Sequence, residues 1–248
     1  MKVNLLGIDI DALDLAGVMG LIAGYLDRKQ PCHVITANPE FLYNAGYDPA
    51  LLELSRRADI VTADGIGVVW ASRMAGAPVP ERVTGIDLMM GLAEWAALEN
   101  RSVYLLGAAP GVAEEAAARL CRDFPGFRLA GVGHGYFSEE EEDSVAGKVR
   151  AAKPDLLFAA LGAPKQEWWI DRHLPDLGPV TAIGVGGSFD VISGRVTRAP
   201  AWVQRIHCEW LYRLLKDPAR LSRQAVLPRF AWLVIKKYKL RINGKNGR

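Results

Sequence analysis

The sequence predicts an α/β protein with a Rossmann-like, mostly parallel sheet, helices on both of its faces, and a basic helical C-terminal appendage. Three observations carry this reading. Six short aliphatic or β-branched runs alternate with longer amphipathic stretches. Several of the runs are apolar at successive positions, as strands buried on both faces are. After Gly194 the alternation stops and the composition turns basic. The boundary falls near residue 195, giving a sheet-bearing body of residues 1–195 and an appendage of residues 196–248.

Taken in order, the strands are expected at residues 34–36, 60–62, 103–106, 127–131, 156–161 and 180–185. Helical patterns cover 87–100 and 111–124, with Thr84 and Asp87 placed to cap the first. Ser138 precedes four glutamates at 139–142, which suits a helix start whose dipole favours acids. That acidic run reads as a solvated first turn rather than a metal site. Beyond Gly194, Pro200, Pro218 and Pro228 break the helical pattern. All six strands precede the boundary, so the core of the body is expected not to depend on the appendage.

Composition narrows the class. With 248 residues the chain is long enough for a sizeable core. The cysteines Cys32, Cys121 and Cys208 have neither the number nor the spacing of a disulfide framework or zinc site. No run approaches the ~18 apolar residues of a membrane span, and the acidic N-terminus is unlike a signal peptide, so a cytoplasmic location is expected. The net charge of +2 conceals an asymmetry. Residues 1–194 hold 16 basic and 26 acidic side chains; residues 195–248 hold 14 basic and 2 acidic. The appendage is therefore built to meet something anionic: phospholipid, nucleic acid or a phosphorylated substrate.

In an open parallel sheet, ligands bind beyond the carboxyl ends of the strands. Here those ends carry Thr36-Ala37-Asn38-Pro39, Thr62-Ala63-Asp64-Gly65, the glycine-rich 107–111 and 133–136, Gly162-Ala163-Pro164-Lys165-Gln166-Glu167, and 184–190. Converging on one rim, they suit a nucleotide or nucleotide sugar held by backbone N–H groups and helix dipoles. P-loop, dinucleotide, serine-hydrolase and zincin motifs are all missing. The four histidines make no cluster, and His33 and His207 read as structural or surface residues. Asp64 follows an apolar strand and precedes Gly65-Ile66-Gly67, which admits two readings: a helix cap, or a general base facing the crevice.

Several of these blocks together resemble the WecG/TagA/CpsF glycosyltransferases. They are Thr36 to Pro39, Thr62 to Val69, Pro80 to Leu88, Leu161 to Glu167, Gly184 to Asp190, Arg198 to Trp202, and Glu209 to Leu214 with Pro218, Arg220 and Arg223. They run in family order from about residue 3 to 230; Ile206-His207-Cys208 departs from the expected Gly-Leu pair. The resemblance implies an inverting transferase that moves N-acetylmannosamine from UDP-N-acetylmannosamine to N-acetylglucosamine on undecaprenyl diphosphate. In the teichoic-acid branch this makes a linkage unit; UDP-N-acetylmannosaminuronic acid is the alternative donor. It also implies Asp64 as base, with Thr36, Asn38, Arg82 and Gln166 in the same pocket. Tyr136 and Asp190 would lie near the uracil, and Arg213, Arg220 and Arg223 on the appendage. Gly107 and Gly186 belong with the ligand-facing strand ends.

No cofactor is expected. The only Asp-x-Asp, Asp9 and Asp11, lies away from the expected crevice strands, so arginines and helix N-termini would have to meet the charge of the departing UDP. The basic appendage, with aromatics at 202, 210, 212, 230, 232 and 238, suits a peripheral site on the inner, anionic membrane face. It allows a homo-oligomer as well. A nucleic-acid-binding α/β protein is the remote alternative, resting on tail charge alone; the reading adopted expects no nucleic-acid partner.

Overall fold

In the computed structural model, which describes residues 1–205, 209–216 and 225–245, the chain opens with an antiparallel hairpin. Strands β1 (Lys2–Leu5) and β2 (Ile8–Asp11) flank a turn in which Leu6 and Gly7 both have positive φ. Val3, Leu5, Ile8 and Ile10 point inward, so the hairpin lies over one face of the main sheet as part of its core. The sequence reading contained no such hairpin. The hairpin also corrects the expectation for Asp9 and Asp11. Asp9 accepts from the Asn4 side chain at 2.7 Å. Asp11 does not lie away from the expected strands: it is buried, accepts from the Val61 amide at 3.0 Å and pairs with Lys2 at 3.7 Å.

The remaining body alternates as expected. It runs α1 (Leu15–Asp27), β3 (Cys32–Ala37), α2 (Pro39–Ala45), α3 (Pro49–Arg57), β4 (Ile60–Ala63), α4 (Ile66–Met74) and α5 (Gly85–Leu98). Then come β5 (Ser102–Gly107), α6 (Val112–Asp123), β6 (Arg128–Gly133), α7 (Glu142–Ala152), β7 (Leu156–Ala160), α8 (Lys165–Leu177), β8 (Thr181–Gly184) and α9 (Ser188–Ile192). All six expected strands are present and pair in parallel, in the order β4-β3-β8-β7-β5-β6. Thr84 caps α5 by accepting from the Asp87 amide. Ser138 forms a reciprocal capping box with Glu141 on a 3₁₀ turn, Glu139–Glu141, that leads into α7.

Why the strands read as continuous apolar runs is visible in where neighbouring side chains go. Val34, Val103, Leu156 and Ile183 face one core with α1, α5, α6 and α9. Their neighbours face the other way: Ile35 lies under the hairpin, α2, α3 and α4, and Tyr104, Leu157 and Ala182 lie under α7 and α8. Both faces are thus covered, the condition a parallel sheet needs.

Beyond Gly194 the described elements are α10 (Ala201–Arg205), α11 (Glu209–Lys216) and α12 (Val226–Lys245). Pro228 does not interrupt a helix but sits in the first turn of α12, where its missing N–H would have no intrahelical partner. One expectation needs correcting. Phe230, Val234 and Tyr238, spaced i, i+4, i+8 on one face of α12, are buried in the core beneath α2 and α4. The Tyr238 hydroxyl accepts from the Leu6 amide at 3.1 Å. The core of the body therefore does use the C-terminal segment.

Candidate active site

Strands β3 and β4 pair in register through Ala37 and Ala63, so Asn38 and Asp64, the next residues on each, leave adjacent strands side by side. One step earlier, Thr36 donates from Oγ1 to the Gly184 carbonyl at 2.8 Å, joining the end of β3 to that of β8. Asn38 caps α2 by accepting from the Phe41 amide at 2.8 Å, which commits its oxygen and leaves the NH2 as the end a ligand would meet.

Asp64 does not cap the helix that follows it. Gly65 is the N-cap of α4, at φ 109°, a conformation that disfavours side chains, and no side chain caps there. The half-buried carboxylate instead reaches the start of α5, accepting from the Gly85 amide in a long bond of 3.4 Å. Gly85 packs in turn against Thr36 and Val185. Thr36, Asp64, the α5 N-terminus and the loop after β8 thus form one cluster.

Gln166, in the first turn of α8, completes it from below. Its Oε1 accepts from the Gly186 amide at 3.0 Å, while its Nε2 donates to Glu167 Oε1 at 2.8 Å. Both side chains are buried. Burial pushes the Glu167 carboxyl up to about 7, against the opposing pull of Gln166 and of its own backbone amide.

Arg82 has a protein partner. Its guanidinium meets Glu209 of α11 at 2.7 Å; Glu209 also meets Arg198 at 3.4 Å, and Arg198 meets Asp87 of α5 at 2.6 Å. Asp87 Oδ2 accepts from the Thr84 hydroxyl at 2.7 Å. This chain of ion pairs fastens α11 to the rim beside Asp64. Arg213 lies on α11 one turn beyond Glu209; Arg220 and Arg223 lie outside the described residues.

The other expected residues sit toward β5 and β6. Gly107 ends β5 at φ 137°, where a Cβ would come 2.5 Å from the Ala160 backbone, so only glycine lets β5 and β7 approach so closely. Tyr136 follows β6 and is 72% exposed, in a loop held by the Gly135 amide donating to Ala108 at 2.8 Å. Asp190 is half-buried in the first turn of α9, near Gly187. The rim therefore divides into a polar half around Asp64 and an open half around Tyr136, with Gln166, Gly186 and Asp190 between.

Sequence reasoning missed Arg198, Asp87 and Glu209 as a network, and Glu167. A signal existed for Glu209, one of only two acids among 14 basic residues after Gly194. Among the described residues no group of three or more His, Cys, Asp or Glu side chains is placed to hold a metal ion. A cavity of about 380 Å³ lined by Lys165, Trp168, Trp169 and Arg172 of α8, with Glu142 and Pro164, contains none of the cluster residues.

Comparison with known proteins gives the family to which the chain belongs. The chain is similar to the N-acetylglucosaminyldiphosphoundecaprenol N-acetyl-beta-D-mannosaminyltransferase of Bacillus spizizenii, at 41% identity covering 86% of this chain and 82% of that protein. The protein of the same name from Bacillus subtilis is 34% identical, covering 87% and 83%. That from Staphylococcus aureus strain MW2 is 35% identical, covering 95% and 92%. The model of the glycosyl transferase WecG/TagA/CpsF family matches residues 3–244, and the chain belongs to that family of glycosyltransferases.

Proposed function

We propose that the chain transfers N-acetylmannosamine from UDP-N-acetylmannosamine to N-acetylglucosamine carried on undecaprenyl diphosphate, with inversion and with Asp64 as general base. The observation that carries this is the position of Asp64, whose carboxylate is turned toward the α5 N-terminus and the β3 and β8 strand ends instead of capping α4. The names of the relatives support the acceptor and the sugar. They also specify a β product, which an α-linked nucleotide sugar gives by a single displacement. In that step Asp64 takes the proton of the acceptor hydroxyl as its oxygen attacks the anomeric carbon and the bond to UDP breaks. The departing diphosphate gains charge, which Arg82, the tail arginines 213, 220 and 223, and the N-termini of α4 and α5 are suited to stabilise.

Thr36, Asn38, Gln166 and Gly186 line the sugar and diphosphate side of the pocket in this reading; Gly107, Tyr136 and Asp190 line the nucleoside side. No metal is required, so activity survives EDTA; loss restored by Mg²⁺ or Mn²⁺ would overturn that. Asp64→Asn is expected to fold and bind donor but lose ~10²- to 10⁴-fold in turnover. Near-normal turnover with donor bound would remove Asp64 from the role. Weighing the products formed from each of the two UDP donors with a lipid-diphosphate N-acetylglucosamine acceptor decides between mannosamine and mannosaminuronic acid.

A further inference from the structure

Glu167 is a conspicuous expense. It is buried, one carboxylate oxygen receives Gln166, and the other, Oε2, has no hydrogen-bond partner. An orphaned buried carboxyl oxygen costs stability, offset only in part by the bond its other oxygen accepts from the buried Gln166 amide. The surroundings nevertheless make room for it. Gly184, at the end of β8, has no side chain, and a Cβ there would stand 2.5 Å from Gln166 Nε2 and 3.1 Å from Glu167 Oε1. The amide of Gln166 is thereby held between two fixed partners, its Nε2 on Glu167 and its Oε1 on the Gly186 amide. Oε1 of Glu167 accepts from that Nε2, and a proton on Oε2 leaves it free to do so, which sets the end of the amide that faces the loop after β8.

We infer that Glu167 is a positioning residue for sugar transfer, setting the orientation of Gln166 and through it the loop at Gly186, in a slot that Gly184 keeps open. The inference rests on the proposed reading that places Gln166 and Gly186 in the donor pocket. It accounts for the orphaned oxygen as a cost carried for the site's geometry, since a small misplacement at a reacting centre loses far more rate than one unpaired atom loses stability.

The test is kinetic and thermal on the same variants of the full chain, with UDP-N-acetylmannosamine and a lipid-diphosphate N-acetylglucosamine acceptor. Glu167→Met, which keeps length and bulk but accepts only weakly, removes the orphaned oxygen while unpairing Gln166 Nε2, so it should melt close to the parent yet lose ~10- to 100-fold in kcat/KM. Glu167→Gln restores an acceptor and should recover most of that loss. In a Gln166→Ala background, Glu167→Met should cost little more, because the group it orients is gone. If Glu167→Met does not fold, Gly184→Ala replaces it. Its methyl drives into the same pair, so it should lower kcat/KM alone and cost nothing further beside Gln166→Ala. Full activity in Glu167→Met or Gly184→Ala, or losses that add in full to that of Gln166→Ala, would overturn the inference. Gln166→Ala with parental kcat/KM would show instead that Gln166 lies outside the pocket, a failure of the underlying reading that the other variants alone would not produce.

Discussion

Two buried titratable residues pull the stability of the fold in opposite directions with pH. His33 is buried with Nε2 unpaired, and burial lowers its pKa to about 4, opposed by Asp171 and reinforced by Arg57. Because the unfolded chain binds that proton more readily, stability rises with pH between about 4 and 6.5 on account of His33. Glu167 behaves oppositely. Its folded pKa of about 7 lies above the unfolded value of 4.5, so its contribution is complete below pH 4.5 and is lost as pH rises toward 7. Each slope approaches about 1.4 kcal/mol per pH unit, and over the shared window the two cancel. Glu167→Gln should therefore expose the histidine slope: denaturant melts of the variant at pH 6.5 and pH 4.5 should differ more than those of the parent. Equal shifts in both proteins would mean that Glu167 is not protonated in the fold.

At the scale of elements, the six main strands were legible because each is a short apolar run ending in a polar or glycine turn. Helix starts at Thr84 and Ser138 were legible for the same local reason, a side-chain acceptor placed before a helical pattern. The hairpin β1–β2 was not, since its strands KVNL and IDID interleave polar residues and so lack the continuous apolar run of the main strands, and a turn with Leu6 at φ 57° lacks the usual Asn-Gly signature. Nor was the Arg82–Glu209–Arg198–Asp87 chain, whose members are up to 127 residues apart and meet only after folding. That Asp64 spares α4 was likewise invisible, as Asp before Gly suits a cap equally well. The ion-pair chain is what joins α11 to the rim. Glu209→Ala should free α11, seen as faster proteolytic cleavage between residues 196 and 225, and lower transfer about tenfold by loosening Arg82. Lost activity with an unchanged cleavage rate would assign Glu209 to the chemistry rather than to docking.

For the whole molecule, the question is how a chain with an acidic body would reach the lipid-linked acceptor proposed for it. Among the described residues no helix is long and apolar enough to cross a membrane. The outer side of α12 exposes Trp232, 60% accessible, and Ile235, with Lys236 over the Trp232 ring at 4.9 Å. Trp232 and Arg229 also line a pocket of about 340 Å³ with Tyr43, Tyr47 and Pro228. Peripheral attachment through this face to an anionic leaflet is the proposal, each basic side chain in contact contributing roughly 1 kcal/mol. Flotation with anionic vesicles should then weaken with salt, and Trp232→Ala with Lys236→Glu should reduce it further while UDP binding persists. Binding to RNA or DNA in place of vesicles would favour the remote nucleic-acid alternative.

The tie between Tyr238 and Leu6 also sets a timetable. The amide of Leu6 donates to a hydroxyl on a helix that the ribosome makes more than two hundred residues later. Until then the apolar flank formed by the hairpin, Phe41 and Val68 has no cover from Phe230 and Val234. A nascent chain thus carries an open greasy flank until that helix is made, the stage at which chaperones and aggregation compete for it. Stalled chains ending before residue 226 should be captured by chaperones and cut readily in the hairpin. Chains long enough to free residue 245 from the exit tunnel should be neither.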